Sequence, residues 1–465
     1  MTLTPPARRI ALVGATLSLT LALASCSAAA ASGLATHAPA ADALSAAKGV
    51  TTVSFWHSMD GTNGQTLDAL VAKFNAAHHG KIAVEPVFQG DYDTAITKYK
   101  AAVQSHSTPE LAQVYDIGSR FMMDSAQTVP MQEFIDRDTW DTSDLQPNIA
   151  GYYTVNGVQA SMPFNTSMPV LYYNKTLFTK AGLDPAKPPR TLDEVAAAAG
   201  KLSKVHGGPA AFGFDAAIYG WFLEQEIAAN GDLFCGPDNG RGAKRATSFT
   251  FDNPGAVKFV QWWKDLIGSG VAANTGRKTS DASDAFKTGT VGMTLESTGA
   301  LGGMQQAATA GGFELGVGYY PRLKQNAAGP IIGGASLWID GPGHTAAEQE
   351  AAWQFVKFLA APASQATWHT GTGYFPISTS ALKEPADVTW RTQHPQFDVA
   401  VRQLADTKLS PATQGCSAGV MPQARKAVED GLEKALLGAD ARTSLRDAAT
   451  SLEPQLTEYN TSVGS

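Results

Sequence analysis

The segment Gly415-Cys416-Ser417-Ala418-Gly419 carries the Gly-x-Ser-x-Gly spacing of a nucleophile elbow, in which a sharp strand-to-helix turn lifts a serine hydroxyl toward a substrate. Such a turn needs a buried strand in front of it. The residues ahead of this one, Ala405-Asp406-Thr407-Lys408-Leu409-Ser410-Pro411-Ala412-Thr413-Gln414, are polar and broken by proline. The context speaks against a hydrolase, and no catalytic residue is assigned. The chain has no Gly-x-x-x-x-Gly-Lys-Ser/Thr and so lacks the phosphate loop of an ATPase. Its nine histidines include no His-Glu-x-x-His, and the adjacent His78 and His79 would point apart on a helix. No metal and no cofactor is expected.

Arg425 has chemistry of another kind. It follows Pro422, a residue favoured in a first helical turn, and Val428, Leu432, Ala435 and Leu436 continue the apolar face of that helix. A fixed cation near a helix N-terminus is an anion site. Taken alone, the residues favour the plainer reading, a surface arginine on a charged helix face.

The elements that would position such groups are legible by period. Val53 and Phe55 alternate with Thr52 and Ser54 as a strand that ends at Trp56-His57-Ser58-Met59-Asp60-Gly61. Leu67, Leu70, Val71 and Phe74 then fall at helical spacing, and Ile82-Ala83-Val84-Glu85-Pro86-Val87-Phe88 is a second strand. A further helix face, Tyr92, Ile96, Tyr99 and Val103, precedes the strand Glu110-Leu111-Ala112-Gln113-Val114-Tyr115-Asp116. Strand, helix, strand is a right-handed crossover unit of a parallel sheet, whose ligands bind beyond the carboxyl ends of the strands. Trp56-His57, Tyr92 and Asp116 therefore project toward one rim. A Pro-rich corner, Pro188-Pro189-Arg190, and a helix capped by Thr191 with Glu194 three residues on mark the start of a second lobe.

A chain of 465 residues, 44% apolar and 17% charged, is globular and long enough for two or three domains. Its net charge of −7 argues against nucleic-acid partners. Arg8 and Arg9 precede an uncharged apolar stretch over residues 10–24, too short to span a bilayer and typical of a secretory signal. Residues 1–25 are read as this signal. They end at Leu23-Ala24-Ser25-Cys26, which resembles the bacterial lipobox, so Cys26 is the expected lipidation site; an ordinary signal peptide with a chance cysteine is the alternative. Residues 26–49, rich in Ala, Ser, Thr and Pro, read as a flexible tether. If Cys26 is acylated, Cys235 and Cys416 remain as an even pair outside the reducing cytoplasm, open either to a disulfide or to two buried free thiols.

Tyr172-Tyr173-Asn174-Lys175, Phe178, Ala181-Gly182-Leu183, Pro188-Pro189-Arg190-Thr191 and Asp193-Glu194 resemble the hallmark of extracellular solute-binding proteins of carbohydrate-type ABC importers. Phe55-Trp56-His57-Ser58-Met59-Asp60-Gly61, Pro163-Phe164-Asn165, Ile331-Ile332-Gly333-Gly334-Ala335-Ser336-Leu337-Trp338, Thr370-Gly371-Thr372-Gly373-Tyr374 and Met421-Pro422-Gln423-Ala424-Arg425 are similar to the branch that takes glycerol 3-phosphate and glycerophosphodiesters. The resemblance implies an α/β fold of two periplasmic-binding-protein lobes, each a mostly parallel sheet flanked by helices, with a ligand cleft at the hinge. Lobe 1 would comprise residues 50–161 and 333–376, and lobe 2 residues 162–332 and 377–465. It also implies a monomeric, non-enzymatic binding component, tethered outside the cytoplasm by the lipid on Cys26, that closes on a small molecule and delivers it to membrane permease subunits coupled to an ATPase.

Carried over by position, the resemblance implies that Ser167, Ser297, Gly334, Tyr374 and Arg425 hold phosphate, with Thr298 beside Ser297, and that Tyr92, Asp116 and Trp221 hold glycerol. Gly334 would let a backbone N–H approach the anion. Enterobacterial-type members carry a tryptophan where this chain has Ile218, which widens the glycerol side and favours a glycerophosphodiester such as glycerophosphocholine, with Tyr219 and Trp221 facing a quaternary ammonium. Alternatives are a glycerol 3-phosphate binder and a neutral sugar or oligosaccharide binder. Trp56, Trp262 and Trp263 keep the sugar reading open, although Trp262-Trp263 fit packing on a helix.

Overall fold

Alternation places Val53, Phe55 and His57 inside the first strand, β1 (Thr51–His57), in a computed structural model that describes residues 37–205, 212–324 and 328–464. Helix α1 (Gly61–Ala77) buries Leu67, Leu70, Val71 and Phe74, the four residues whose spacing predicts it. Strand β2 (Ile82–Phe88) and helix α2 (Tyr92–Ser105) follow. The Asp91 side chain accepts the Thr94 N–H and starts α2, and the Thr94 side chain together with this N–H holds its carboxyl below the usual range. Strand β3 (Leu111–Tyr115) is buried throughout and, like β2, pairs parallel with β1.

The chain then enters two fully buried strands, β4 (Met162–Ser167) and β5 (Pro169–Asn174). Helix α3 (Leu192–Leu202) begins with the capping box of Thr191 and Glu194 that the sequence announces. Helices α4 (Gly220–Ala229) and α5 (Pro254–Gly268), strands β6 (Met293–Ser297), β7 (Leu315–Tyr319) and β8 (Gly333–Asp340), and helices α6 (Ala346–Ala360), α7 (Pro362–Thr372), α8 (Met421–Leu436) and α9 (Ala441–Ser462) complete the frame used below. Trp263 is 1% exposed in α5, and Trp262 donates its indole N–H to the Leu192 carbonyl at 2.9 Å, so both serve packing.

The first sheet runs β2-β1-β3-β8, with β4 also paired to β8; the second runs β6-β5-β7. One expectation is corrected. The second sheet is not mostly parallel, because β5 pairs antiparallel with both of its neighbours. In the first sheet β8 likewise runs antiparallel to β3 and β4. The cause is connectivity. β5 and β8 each enter their sheet from the other one, so they start at the rim where crossover strands end. The first passage between sheets falls at Met168, because the backbone groups of β4 are taken up by β8 in the first sheet.

Cys235 and Cys416 are joined in a disulfide. The signal segment 1–25, Cys26 and the tether up to residue 36 lie outside the described residues. Among the described residues no helix is long and apolar enough to cross a membrane.

Candidate functional site

Three strand ends meet at one rim. Ala335 of β8 pairs with Tyr115 on one side and Asn165 on the other, and Gly334 pairs with Thr166, so Asp116, Gly334 and Thr166 lie next to one another across the sheet. Ser167 pairs with Gly333 and is 2% exposed. Gly334 adopts φ +93°, and a Cβ there would lie 1.8 Å from the Asn165 carbonyl oxygen. This close strand approach requires glycine. A Cβ on Gly333 would lie 2.5 Å from the Trp221 ring, which seats Trp221 on the start of β8.

The hydroxyl-bearing residues gather around the end of β4. Phe375 donates its N–H to the Thr166 carbonyl at 3.0 Å and so places Tyr374 beside that strand. The Tyr374 ring stacks on Trp368, centroids 5.7 Å apart, and fits only because residue 299 is glycine, whose Cβ would lie 2.5 Å from it. The Ser297 hydroxyl accepts the Gly299 N–H at 3.1 Å. Thr298 is bonded to Met168 twice, its N–H donating at 2.9 Å and its hydroxyl accepting at 3.3 Å. The Tyr92 hydroxyl accepts from the Asn165 side-chain amide at 2.8 Å and interacts with the Tyr374 hydroxyl. Burial pushes Tyr92 well above the ordinary phenol range, so it remains a neutral donor.

Arg425 is not a surface residue: it is 5% exposed. Helix α8 approaches α4 closely because residue 220 is glycine, where a Cβ would lie 2.7 Å from the Arg425 carbonyl oxygen. The guanidinium donates to Glu224 through Nε at 2.7 Å and Nη2 at 2.9 Å. Nη2 also reaches Asp116 Oδ2 at 3.3 Å, and Nη1 the Tyr219 hydroxyl at 3.4 Å. Although burial opposes the charge, Glu224 and Asp116 hold Arg425 well above its usual range, so it stays a cation.

Sequence reasoning missed Glu224 and Glu429, whose Oε1 accepts the Gly220 N–H at 3.1 Å. The spacing of Glu429, four residues past Arg425, was a signal for it. Glu224 had a weaker one, an acid within the otherwise mostly apolar run Trp221-Phe222-Leu223-Glu224-Gln225-Glu226-Ile227. Ile218 is 1% exposed, donates its N–H to the Gly276 carbonyl at 2.7 Å and belongs to the same buried cluster as Trp221 and Tyr115.

The elbow-like segment is a loop. Cys416 is in the disulfide, Ser417 donates its N–H to the Asn239 carbonyl at 2.7 Å, and turn residues lead into it instead of a strand. Glu110, His344 and Glu348 bring ligand atoms within 4.8 Å of one another. Their polar atoms are already engaged, His344 with Glu110 and Thr108, and Glu348 in the capping box of α6.

A two-sheet α/β frame thus brings strand ends, hydroxyls, a clamped arginine and aromatic rings to one rim. The chain belongs to the bacterial extracellular solute-binding proteins, the family that matches residues 69–397. Members of this family are non-catalytic transport components that work outside the cytoplasm. Over 415 residues the chain is 36% identical to the sn-glycerol-3-phosphate-binding periplasmic protein UgpB of Salmonella typhimurium, covering 88% of this chain and 92% of that one. The UgpB of Pectobacterium atrosepticum is 34% identical over 410 residues, 87% of this chain and 90% of the relative. Among solved structures, UgpB from Mycobacterium tuberculosis in complex with glycerophosphocholine superposes with a TM-score of 0.76 at 23% identity, covering 88% of this chain and 99% of that one. Maltose-bound MalE3 of T. maritima gives a TM-score of 0.71 at 20% identity, covering 88% and 100%. These two show the two-lobed fold.

Proposed function

We propose that the protein is the binding component of an ABC importer for glycerophosphoryl compounds, with a glycerophosphodiester such as glycerophosphocholine as its preferred ligand. The observation that carries this reading is Arg425, a buried cation touching the Asp116 carboxylate and the Tyr219 hydroxyl. A phosphoryl group finds a guanidinium fork, Tyr374, Ser167 and Ser297; glycerol hydroxyls find Asp116 and Tyr92. Tyr219 and Trp221, ring centroids 6.2 Å apart, offer aromatic faces for a quaternary ammonium, and the side chain at 218 is an isoleucine, smaller than an indole. The similarity to the UgpB proteins supports the same ligand class.

In this reading the lobes meet at Met168 and close over the ligand. The body is monomeric, is tethered to the membrane by a lipid on Cys26, and hands its ligand to permease subunits driven by an ATPase. Calorimetric titration with glycerophosphocholine, glycerol 3-phosphate and maltose tests it. The expected order is glycerophosphocholine tightest, glycerol 3-phosphate weaker, maltose silent. Tighter binding of glycerol 3-phosphate would discard the role of Ile218, and a response to maltose alone would discard the ligand class.

A further inference from the structure

A guanidinium offers two edges to bidentate acceptors, and on Arg425 they are unequal. The Nε/Nη2 edge is filled by both carboxylate oxygens of Glu224, at 2.7 and 2.9 Å. Glu224 is itself 5% exposed and fixed in α4, so the arginine is clamped. The other edge, Nη1/Nη2, faces Asp116 Oδ2 at 3.3 Å and the Tyr219 hydroxyl at 3.4 Å. A phosphoryl group that pairs with Arg425 through two parallel bonds has only this second edge to use. It must move Asp116 off it.

We propose that Asp116 is an internal competitor for the phosphoryl seat on Arg425, and thereby a specificity-determining residue: an anion gains the seat only when the same ligand also satisfies the displaced carboxylate. The proposal rests on the reading that the ligand's phosphoryl group pairs with Arg425. Its physical content is charge balance in a place from which water is largely excluded. Arg425 is the cation that touches both Asp116 and Glu224, while Glu429 lies near Arg277 as well, and Arg120 and Arg241 line the cavity that Asp116 borders without an ion pair to it. Adding an anion while Asp116 loses its partner leaves a buried carboxylate uncompensated, which is strongly unfavourable. Glycerol hydroxyls donate hydrogen bonds to that carboxylate, and a quaternary ammonium neutralises it. A simple phosphate ester offers neither. The arrangement admits glycerophosphoryl compounds and turns away anions that carry only the phosphoryl group, although Arg425 would attract both. Glu224 acts as a positioning residue here, since without its grip the guanidinium could swing toward Asp116 or the ligand.

The test uses dimethyl phosphate, a monoanion with the charge of a phosphodiester and no donor. Titrations compare the wild-type protein and Asp116→Asn with dimethyl phosphate and with glycerophosphocholine. The expected result is opposite movement: Asp116→Asn binds dimethyl phosphate at least 10-fold more tightly than wild type and glycerophosphocholine at least 10-fold more weakly. The gain disappears when Arg425→Gln is added. Unchanged or weaker dimethyl phosphate binding in Asp116→Asn overturns the proposal, whatever the wild type binds, because a residue that only held hydroxyls would not oppose the simple ester. Asp116→Ser carries the same test if the asparagine variant does not fold. Failure of the wild type to bind any glycerophosphoryl compound would instead sink the functional reading, so the two failures are distinct.

Discussion

Buried carboxylates in this chain do two different jobs, and their partners tell them apart. Glu224 and Asp116 face a guanidinium. A buried ion pair of this kind is a weak contributor to stability, since hydrophobic replacements of equal volume fold as well or better, so its presence points to ligand handling. Asp340 is the contrasting case. It is fully buried at the end of β8, where Tyr99 donates to Oδ1 at 2.5 Å and Oδ2 has no hydrogen-bond partner. Burial pushes its pKa up to about 8. Because the folded value lies above the unfolded one, the folded state holds the extra proton, and stability falls as pH rises toward and through 8. Asp340→Asn should remove that share. Comparing thermal unfolding at pH 6 and pH 9, the wild type is expected to lose about 2–3 kcal/mol more than the variant; equal losses would show that Asp340 ionises freely. Glu296, raised to about 7 by burial, and Glu226, also about 7, fall in the same direction and remain in both proteins.

Among the elements, what the sequence displays depends on whether a period is present. Helix α1 is read correctly because Leu67, Leu70, Val71 and Phe74 repeat at 3.6 residues against polar neighbours. The capping box of α3 is equally visible, since Thr191 and Glu194 have a fixed offset. Strands β4 and β5 have no such mark: every residue in both is buried, so neither alternation nor direction is encoded locally, and the antiparallel second sheet emerges only from long-range pairing. Arg425 was hard to place for a related reason. Its helix has the composition of an exposed one, and its burial depends on Gly220 and Glu224, two hundred residues earlier in the chain. Gly334 is required by the paired strands, a reason that no local pattern discloses. Gly334→Ala would combine a left-handed backbone with a Cβ only 1.8 Å from the Asn165 carbonyl oxygen, and is expected to destabilise the fold by more than about 2 kcal/mol in chemical denaturation. A loss within 0.5 kcal/mol would mean that the strands part easily there.

For the molecule as a whole, the two entering strands β5 and β8 bring the residues of the proposed site from both sheets together. Tyr92, Asp116 and Gly334 come from the first sheet's side, Ser297 and Thr298 from the end of β6 in the second, and Arg425 and Trp221 from the helices between. Such a distribution suits capture by closure, because no single element carries enough of the site to hold a ligand alone. The disulfide ties Cys235, which follows α4, to Cys416, which precedes α8, and so secures the two segments that frame Arg425. The central claim is that a glycerophosphoryl ligand sits with its phosphoryl group on the Nη1/Nη2 edge of this arginine, in place of Asp116. A crystal structure of the protein grown with glycerophosphocholine tests it most directly. The account predicts phosphoryl oxygens within hydrogen-bond distance of Arg425 Nη1 and Nη2, with Asp116 turned to the glycerol hydroxyls or the ammonium. A ligand bound with its phosphoryl group away from Arg425, and Asp116 still on Nη2, would contradict it.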